Sequence, residues 1–160
     1  MNLAEEQGRL ALVLKMRDEL NKRFDATMYN VFCFGSFLTS DFVVGKSDID
    51  LGIYCIDAKQ QLDIQQAIED FLRKEQPDLS YHIVPVVCQD RRWVNHAILV
   101  EGVQFTDYFP SELQRYLWRL RRELREHQAR LERRRWIIQN NAVLSVGKRT
   151  EELLQQISGK

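Results

Sequence analysis

Cysteine, proline and glycine are all scarce in this chain of 160 residues, at three, three and seven. The cysteines, Cys33, Cys55 and Cys88, form no CxxC pair and no cluster with histidine. An odd, scattered set excludes a disulfide scaffold and a zinc-ribbon site, and it points to buried thiols in a reducing compartment. The sequence also lacks biased tracts and internal repeats, which excludes a flexible linker or a repeat array. No stretch approaches the roughly 18 apolar residues of a membrane span. The opening MNLAEEQGRL carries two glutamates and no long apolar core, unlike a secretory signal. Formal net charge is zero, so the chain as a whole lacks the electrostatics of a nucleic-acid binder. What remains is a cytoplasmic globular protein.

Its hydrophobic and charged fractions, 44% and 29%, are those of a soluble domain with a real core. The zero net charge conceals an asymmetry. Nine Arg and four Glu fall between Ser111 and Arg135, a local net of +5, which leaves −5 for the rest.

Hydrophobic spacing predicts a first helix from Leu3 to Phe24, with Leu10, Val13, Leu14, Leu20 and Phe24 on its apolar face. Tyr29 to Phe34 reads as a buried strand, and Ile49 to Ile56 as a second. Asp57 is an N-cap with Gln60 three residues on, opening a helix to about Lys74 that buries Ile64, Ile68, Phe71 and Leu72. Tyr81 to Val87 is a third strand, and Pro85 marks it as an edge or strand end. Asp90 to Glu101 reads as a helix closed by Gly102, with His96 in a structural role, and Val103 to Phe105 as a short strand. Pro110-Ser111-Glu112-Leu113-Gln114 opens a long helix to about Gln139. Asn140-Asn141 is a break before a last helix over Val143 to Ile157. The expected fold is α/β (α+β): a small mixed sheet flanked by helices, with a long C-terminal helix. Residues 1–110 would form the core with its N-terminal helix. Residues 111–160 would form a helical extension, packed on that core or used for association.

Chemistry concentrates in Phe32 to Tyr54, FCFGSFLTSDFVVGKSDIDLGIY. A strand runs into Gly35-Ser36; eleven residues intervene; then Asp48-Ile49-Asp50 opens the next strand, after the polar Gly45-Lys46-Ser47. Gly35 lets backbone approach a phosphate closely. The Ser36 hydroxyl and nearby amides can bond phosphate oxygens, the more so if a helical turn starts at Phe37. Two residues apart on a strand, Asp48 and Asp50 share a face. Paired carboxylates suit Mg2+, which favours carboxylate and phosphate oxygens.

This combination resembles the nucleotidyltransferase signature of the DNA polymerase β superfamily: an apolar residue, Gly, Gly or Ser, a spacer of about a dozen residues, then Asp-x-Asp/Glu. In size and order the chain is most similar to the minimal nucleotidyltransferases (MNT type) of prokaryotes, many of which are antitoxins paired with a helical HEPN protein. The likeness covers Val31 to Phe105 and, more loosely, the helix after Ser111. It implies a nucleotidyltransferase fold with Mg2+ or Mn2+ on Asp48 and Asp50. Gly35 and Ser36, with Lys46 or Ser47, would bind ATP or another nucleoside triphosphate. The implied reaction moves a nucleoside monophosphate, AMP from ATP, to a hydroxyl acceptor such as a toxin partner. Two positions depart from the family. Ser40 stands where many members have Gly. His82, in His82-Ile83-Val84-Pro85, stands where the third catalytic carboxylate is usual; Asp78 and Asp90 flank that strand. A degenerate site that neutralises a partner by contact is the alternative.

Other features admit bland readings. Arg119, Arg122, Arg130, Arg133 and Arg134, near Trp118 and Trp136, could grip nucleic acid. A solvated face with pairs such as Glu112–Arg115 and Glu126–Arg130 is favoured over that. Arg122 and His127 match the Arg-x4-His spacing of HEPN ribonucleases by chance in so Arg-rich a helix. The stripe Leu113, Leu117, Leu120, Leu124 and Leu131 could pack on the core, form a homo-oligomer or bind a partner helix.

Overall fold

A computed structural model describes residues 2–88 and 93–159. The elements are α1 (Glu6–Arg23), β1 (Tyr29–Phe34), β2 (Ile49–Cys55), α2 (Ala58–Glu75), β3 (Tyr81–Pro85), α3 (Trp93–His96), which continues as a π-helical turn (Ala97–Glu101), β4 (Val103–Gln104) and α4 (Ser111–Ser158). The strands form one mixed sheet in the order β3-β2-β1-β4. β1 pairs antiparallel with β2 and with β4, and β2 pairs parallel with β3 through the α2 crossover. β3 is an edge strand, which is where Pro85, lacking an N–H, can end it. Compactness divides the chain into two units, Met1–Trp118 and Arg119–Lys160, a division that falls inside α4.

The first unit holds the sheet and its core. Ile49, Leu51 and Ile53 of β2 and Tyr29, Val31 and Cys33 of β1 join a buried cluster with Leu12, Val13, Met16 and Leu20 of α1 and Ile64, Ile68, Phe71 and Leu72 of α2. Each such side chain stabilises the fold by about 1.5–3 kcal/mol relative to exposure. Alternation on β2 sends Asp50, Gly52 and Tyr54 to the opposite face. There the Ile98 side chain occupies the space that a Cβ on Gly52 would fill, and the Tyr54 hydroxyl donates to Glu112 at 2.8 Å. Of the predicted α1 face, Val13 and Leu20 are buried, but Leu10 is 45% exposed, and Leu12 and Met16 are buried in addition. α2 follows its signature, with the Asp57 carboxylate accepting from the Lys59 amide at 2.9 Å.

Three sequence expectations are corrected. Ile56, Val86, Val87 and Phe105 fall outside the strands. Gly102 closes its helix in extended geometry, φ −74° and ψ 161°, not in a left-handed cap. The helix expected to open at Pro110–Gln114 does so, starting at Ser111, and the Pro110 carbonyl accepts from the Gln114 amide at 3.0 Å. The break at Asn140-Asn141 is absent: α4 runs on to Ser158, and the Asn140 side-chain amide donates to the Trp136 carbonyl four residues back at 2.8 Å. Bonded within the helix in this way, Asn costs only its modest propensity penalty. The start of the predicted helix at Asp90 lies outside the described residues.

In the second unit α4 is a single helix. Every side chain from Arg125 to Gln139 is exposed, Leu131 and Trp136 included. No helix among the described residues is long and apolar enough to cross a membrane.

Candidate functional site

The site forms where β1, β2 and β3 lie side by side. The sheet register puts Asp50 opposite Phe34 of β1 on one side and opposite His82 of β3 on the other. Asp48 lies just ahead of β2, two residues from Asp50, so the two carboxylates share a face. Ile49 between them is fully buried in the core. Gly35 sits directly against Asp50. Its φ is +70°, and a Cβ built there would come within 2.5 Å of Asp50 Oδ2. Glycine is therefore required twice, by the backbone angle and by the close approach.

From Ser36 the chain turns sharply. The Thr39 amide and the Thr39 hydroxyl both donate to the Ser36 carbonyl at 2.9 Å. Phe37 starts no helix, contrary to the helical turn considered from the sequence; residues 35–38 form a turn. The apolar Phe37 explains this. It is fully buried and meets Phe42 edge-on, with ring centroids 5.0 Å apart, which draws the chain inward. Lys46 and Ser47 belong to a second turn, around Gly45 at φ +78°. Both their amides donate to the Val43 carbonyl, at 3.1 and 2.9 Å, and the Ser47 hydroxyl accepts from the Val43 amide at 3.0 Å. The Ser47 oxygen thus serves its own loop, while Lys46 is exposed.

His82 stands on the outer side of the carboxylates. Its Nδ1 lies 3.4 Å from Asp50 Oδ1 and 3.6 Å from Asp48 Oδ2, and its side chain is 71% exposed against 37% for Asp48 and 27% for Asp50. Burial raises the Asp50 pKa above its ordinary 3.8; His82 works against that shift and the Asp48 charge adds to it. Beneath the pair, burial and the Asp50 carboxylate push the Cys33 thiol up to about 12, so it stays protonated. Sequence reasoning missed Ser80, whose hydroxyl donates a short hydrogen bond to Asp48 Oδ1. The parallel register could have found it: with His82 opposite Asp50, Ser80 falls opposite Asp48.

The residues fit a hard divalent cation. Two carboxylates share one face beside a glycine whose missing Cβ leaves space, and oxygen donors suit Mg2+ or Mn2+. No three His, Cys, Asp or Glu side chains form a ready-made metal cage among the described residues. The fit therefore rests on the two aspartates, the remaining positions being of the kind that Mg2+ fills with substrate oxygens and water.

Other residues weighed from the sequence lie elsewhere. Asp78 lines a separate concavity with Leu3, Phe42, Gly45 and Leu79. Asp90 lies outside the described residues. His96 is largely buried, with Nδ1 3.9 Å from Glu101. Of the helix ion pairs, neither expected one forms: Glu112 accepts from Tyr54, and Glu126 pairs with Arg122 at 3.2 Å.

A family model described as "Nucleotidyltransferase domain" matches residues 13–139. No curated protein matches the chain. Among solved structures, one described as a mutant of the toxin–antitoxin pair MntA–HpeT is similar at 14% identity and a TM-score of 0.45, over 79% of this chain and 91% of that one. Another, described as a tri-AMPylated Shewanella oneidensis HEPN toxin in complex with MNT antitoxin, is similar at 15% identity and a TM-score of 0.41, over 80% of this chain and 97% of that one.

Proposed function

The chain belongs to the nucleotidyltransferase domain family, and on that premise we propose that it is an active, metal-dependent enzyme that moves AMP from ATP to a hydroxyl on a protein partner. The observation that carries this reading is that Asp48 and Asp50 both approach His82 Nδ1 while Gly35 sits where a Cβ would strike the Asp50 carboxylate. A retired site has no need of two carboxylates on one face against a glycine in left-handed geometry.

Asp48 and Asp50 would hold Mg2+ or Mn2+. When bound, the cation supplies charge neutralisation for the pyrophosphate leaving group and lowers the pKa of the acceptor hydroxyl. Gly35 admits the triphosphate to the backbone, and Ser36 offers it an amide and a hydroxyl. Lys46 adds positive charge from the second turn. Ser80 holds Asp48 in place through its hydroxyl. His82, within 3.6 Å of both carboxylates, would take the acceptor's proton. The acceptor oxygen then bonds to the α-phosphorus as the bond to pyrophosphate breaks. AMP as the group transferred, and a HEPN-type protein as acceptor, follow from the resemblance to minimal nucleotidyltransferases.

Calorimetric titration with ATP, GTP, CTP and UTP, with and without Mg2+, tests the reading. Metal-dependent binding of ATP is expected, lost in the Asp48→Asn/Asp50→Asn double variant. Folded wild-type protein that binds no triphosphate sinks it.

His82 in the third-carboxylate place favours a second reading, a degenerate module that neutralises its partner by contact. The His82→Asp variant separates the two. An enzyme gains about tenfold in Mn2+ affinity in the presence of nucleotide from a third oxygen ligand. A module that acts by contact gains nothing in partner neutralisation, and it keeps that neutralisation in the double variant.

A further inference from the structure

Among the described residues Arg9 is the most deeply buried charged residue of the first unit, at 4% exposure. It lies in the second turn of α1, where the alternation of charges would place a surface residue. Its Nη1 donates to the Leu3 carbonyl at 2.8 Å and to the Ala4 carbonyl at 3.3 Å, and its Nη2 donates to the Thr39 carbonyl at 2.9 Å. The guanidinium carbon stands 5.1 Å from the centroid of the Phe42 ring. Among the described residues its partners are thus carbonyls and a ring, not a carboxylate. Burying a cation on such terms stabilises a fold less than an apolar side chain of the same volume would. What the planar fork achieves instead is geometric: it ties together two chain segments thirty residues apart.

Both segments are built for this contact. Residues 2–4 fold back over the start of α1, and a Cβ on Gly8 would collide with the Asn2 carbonyl. On the other side, Thr39 is the residue whose amide and hydroxyl hold the Ser36 carbonyl. Phe42, under the guanidinium, is the ring that meets Phe37. The chain of contacts therefore runs from Arg9 through Thr39 to Ser36, and from Arg9 through Phe42 to Phe37. Both branches end in the turn beside Asp50.

We propose that Arg9 is a positioning residue for the triphosphate turn: from α1 it fixes the Thr39 carbonyl, and with it the Ser36 backbone that faces the phosphates. The inference rests on the nucleotidyltransferase reading of the same site. It assigns Arg9 no contact with nucleotide or metal.

The test compares the full-length wild type with Arg9→Met and Arg9→Lys. It uses amide hydrogen exchange and calorimetric titration with Mg-ATP. Arg9→Met is expected to speed exchange across residues 36–42 while β1 and β2 keep wild-type protection, and to weaken Mg-ATP binding about tenfold. Arg9→Lys keeps the charge but reaches one segment only, and is expected to fall between. Leu20→Ala, a core truncation on the same helix, should lower the melting temperature yet leave Mg-ATP affinity unchanged, which separates positioning from general stability. Wild-type Mg-ATP affinity in folded Arg9→Met overturns the proposal. If Arg9→Met does not fold, Arg9→Lys carries the same comparison. If wild-type protein binds no triphosphate, the nucleotidyltransferase reading falls by itself. The exchange data then still decide whether Arg9 anchors the turn: unchanged rates in residues 36–42 overturn that too.

Discussion

At φ +70°, Gly35 holds a conformation that costs an L residue about 1–2 kcal/mol before any contact is counted. Gly45 has nearly the same angle, +78°, but nothing lies within 4 Å of where its Cβ would stand. The pair thus separates backbone strain from collision with the site. Gly45→Ala is expected to lose about 1 kcal/mol in urea denaturation and to keep Mg-ATP affinity. Gly35→Ala should lose more and bind no Mg-ATP, because its methyl group meets the Asp50 carboxylate. Equal affinities for the two variants would detach Gly35 from the site. Asp50 gives a second residue-scale prediction. Its folded pKa lies above 3.8, chiefly through burial, so the metal-free folded state holds this proton longer than the unfolded chain does. Stability from this group is therefore present at low pH and is lost as pH rises through the folded value. Asp50→Asn removes that loss. The variant's melting temperature should exceed that of metal-free wild type at pH 7, and the gap should close as pH falls toward 3.8. A gap that widens in acid would contradict the assigned cause. Of these residues Gly35, Asp48 and Asp50 were legible from spacing alone, because period-two alternation fixes a face. Ser80 and Arg9 were not: a serine before a strand and an arginine between a glycine and a leucine carry no local signal of a partner thirty residues away.

Among the elements, those with strong local signals matched most closely. β1 begins and ends where its apolar run does, and α2 starts at its Asp57 cap. The misses differ in cause: a bond within α4 carries the helix through Asn140, whereas elsewhere contacts distant in sequence matter. α1 buries Leu12 and Met16 beside Val13 and Leu20 and leaves Leu10 exposed, in the same orientation that brings Arg9 to Thr39 and Phe42. The segment between β4 and α4 reads as plain loop, yet a buried polar network fixes it. The Thr106 hydroxyl accepts from the Val31 amide at 3.2 Å and from the Asn30 side chain at 3.3 Å, and Asn30 also donates to the Tyr108 carbonyl. Thr106 is 6% exposed, so its donors have no easy recourse to water. Thr106→Val keeps the shape and removes the acceptor. It is expected to cost about 1–3 kcal/mol in urea denaturation, with Mg-ATP affinity preserved because the site lies at the far end of β1. A neutral substitution would show that Val31 and Asn30 find other acceptors.

At the scale of the whole molecule, charge and structure divide at nearly the same point. Arg119–Lys160 carries 11 basic and 5 acidic residues, and Met1–Trp118 carries 12 and 18, so the halves have net charges of +6 and −6. Every residue of the proposed site, and the whole of the buried cluster around the sheet, belongs to the first unit. The second unit is one helix with exposed arginines and an exposed Leu131, Trp136, Ile137 and Ile138. The stretch from Arg125 to Gln139 buries no apolar face, and such a helix is marginal in water, so that stretch adds little to the stability of the domain. Its value lies in what it can meet: an acidic or apolar surface on another molecule, at a strength that salt will reduce for the charged part. Shortening the chain after Arg125 tests this division of labour. The shortened protein is expected to melt within about 3 °C of the full chain and to bind Mg-ATP with the same affinity. On the proposed function, with the helix as the docking surface, transfer of AMP to a protein acceptor should fall. A drop of about 10 °C in melting temperature, which for a domain of this size means several kcal/mol, would instead make the helix part of the fold. Undiminished transfer would place acceptor recognition in the first unit, beside the carboxylates.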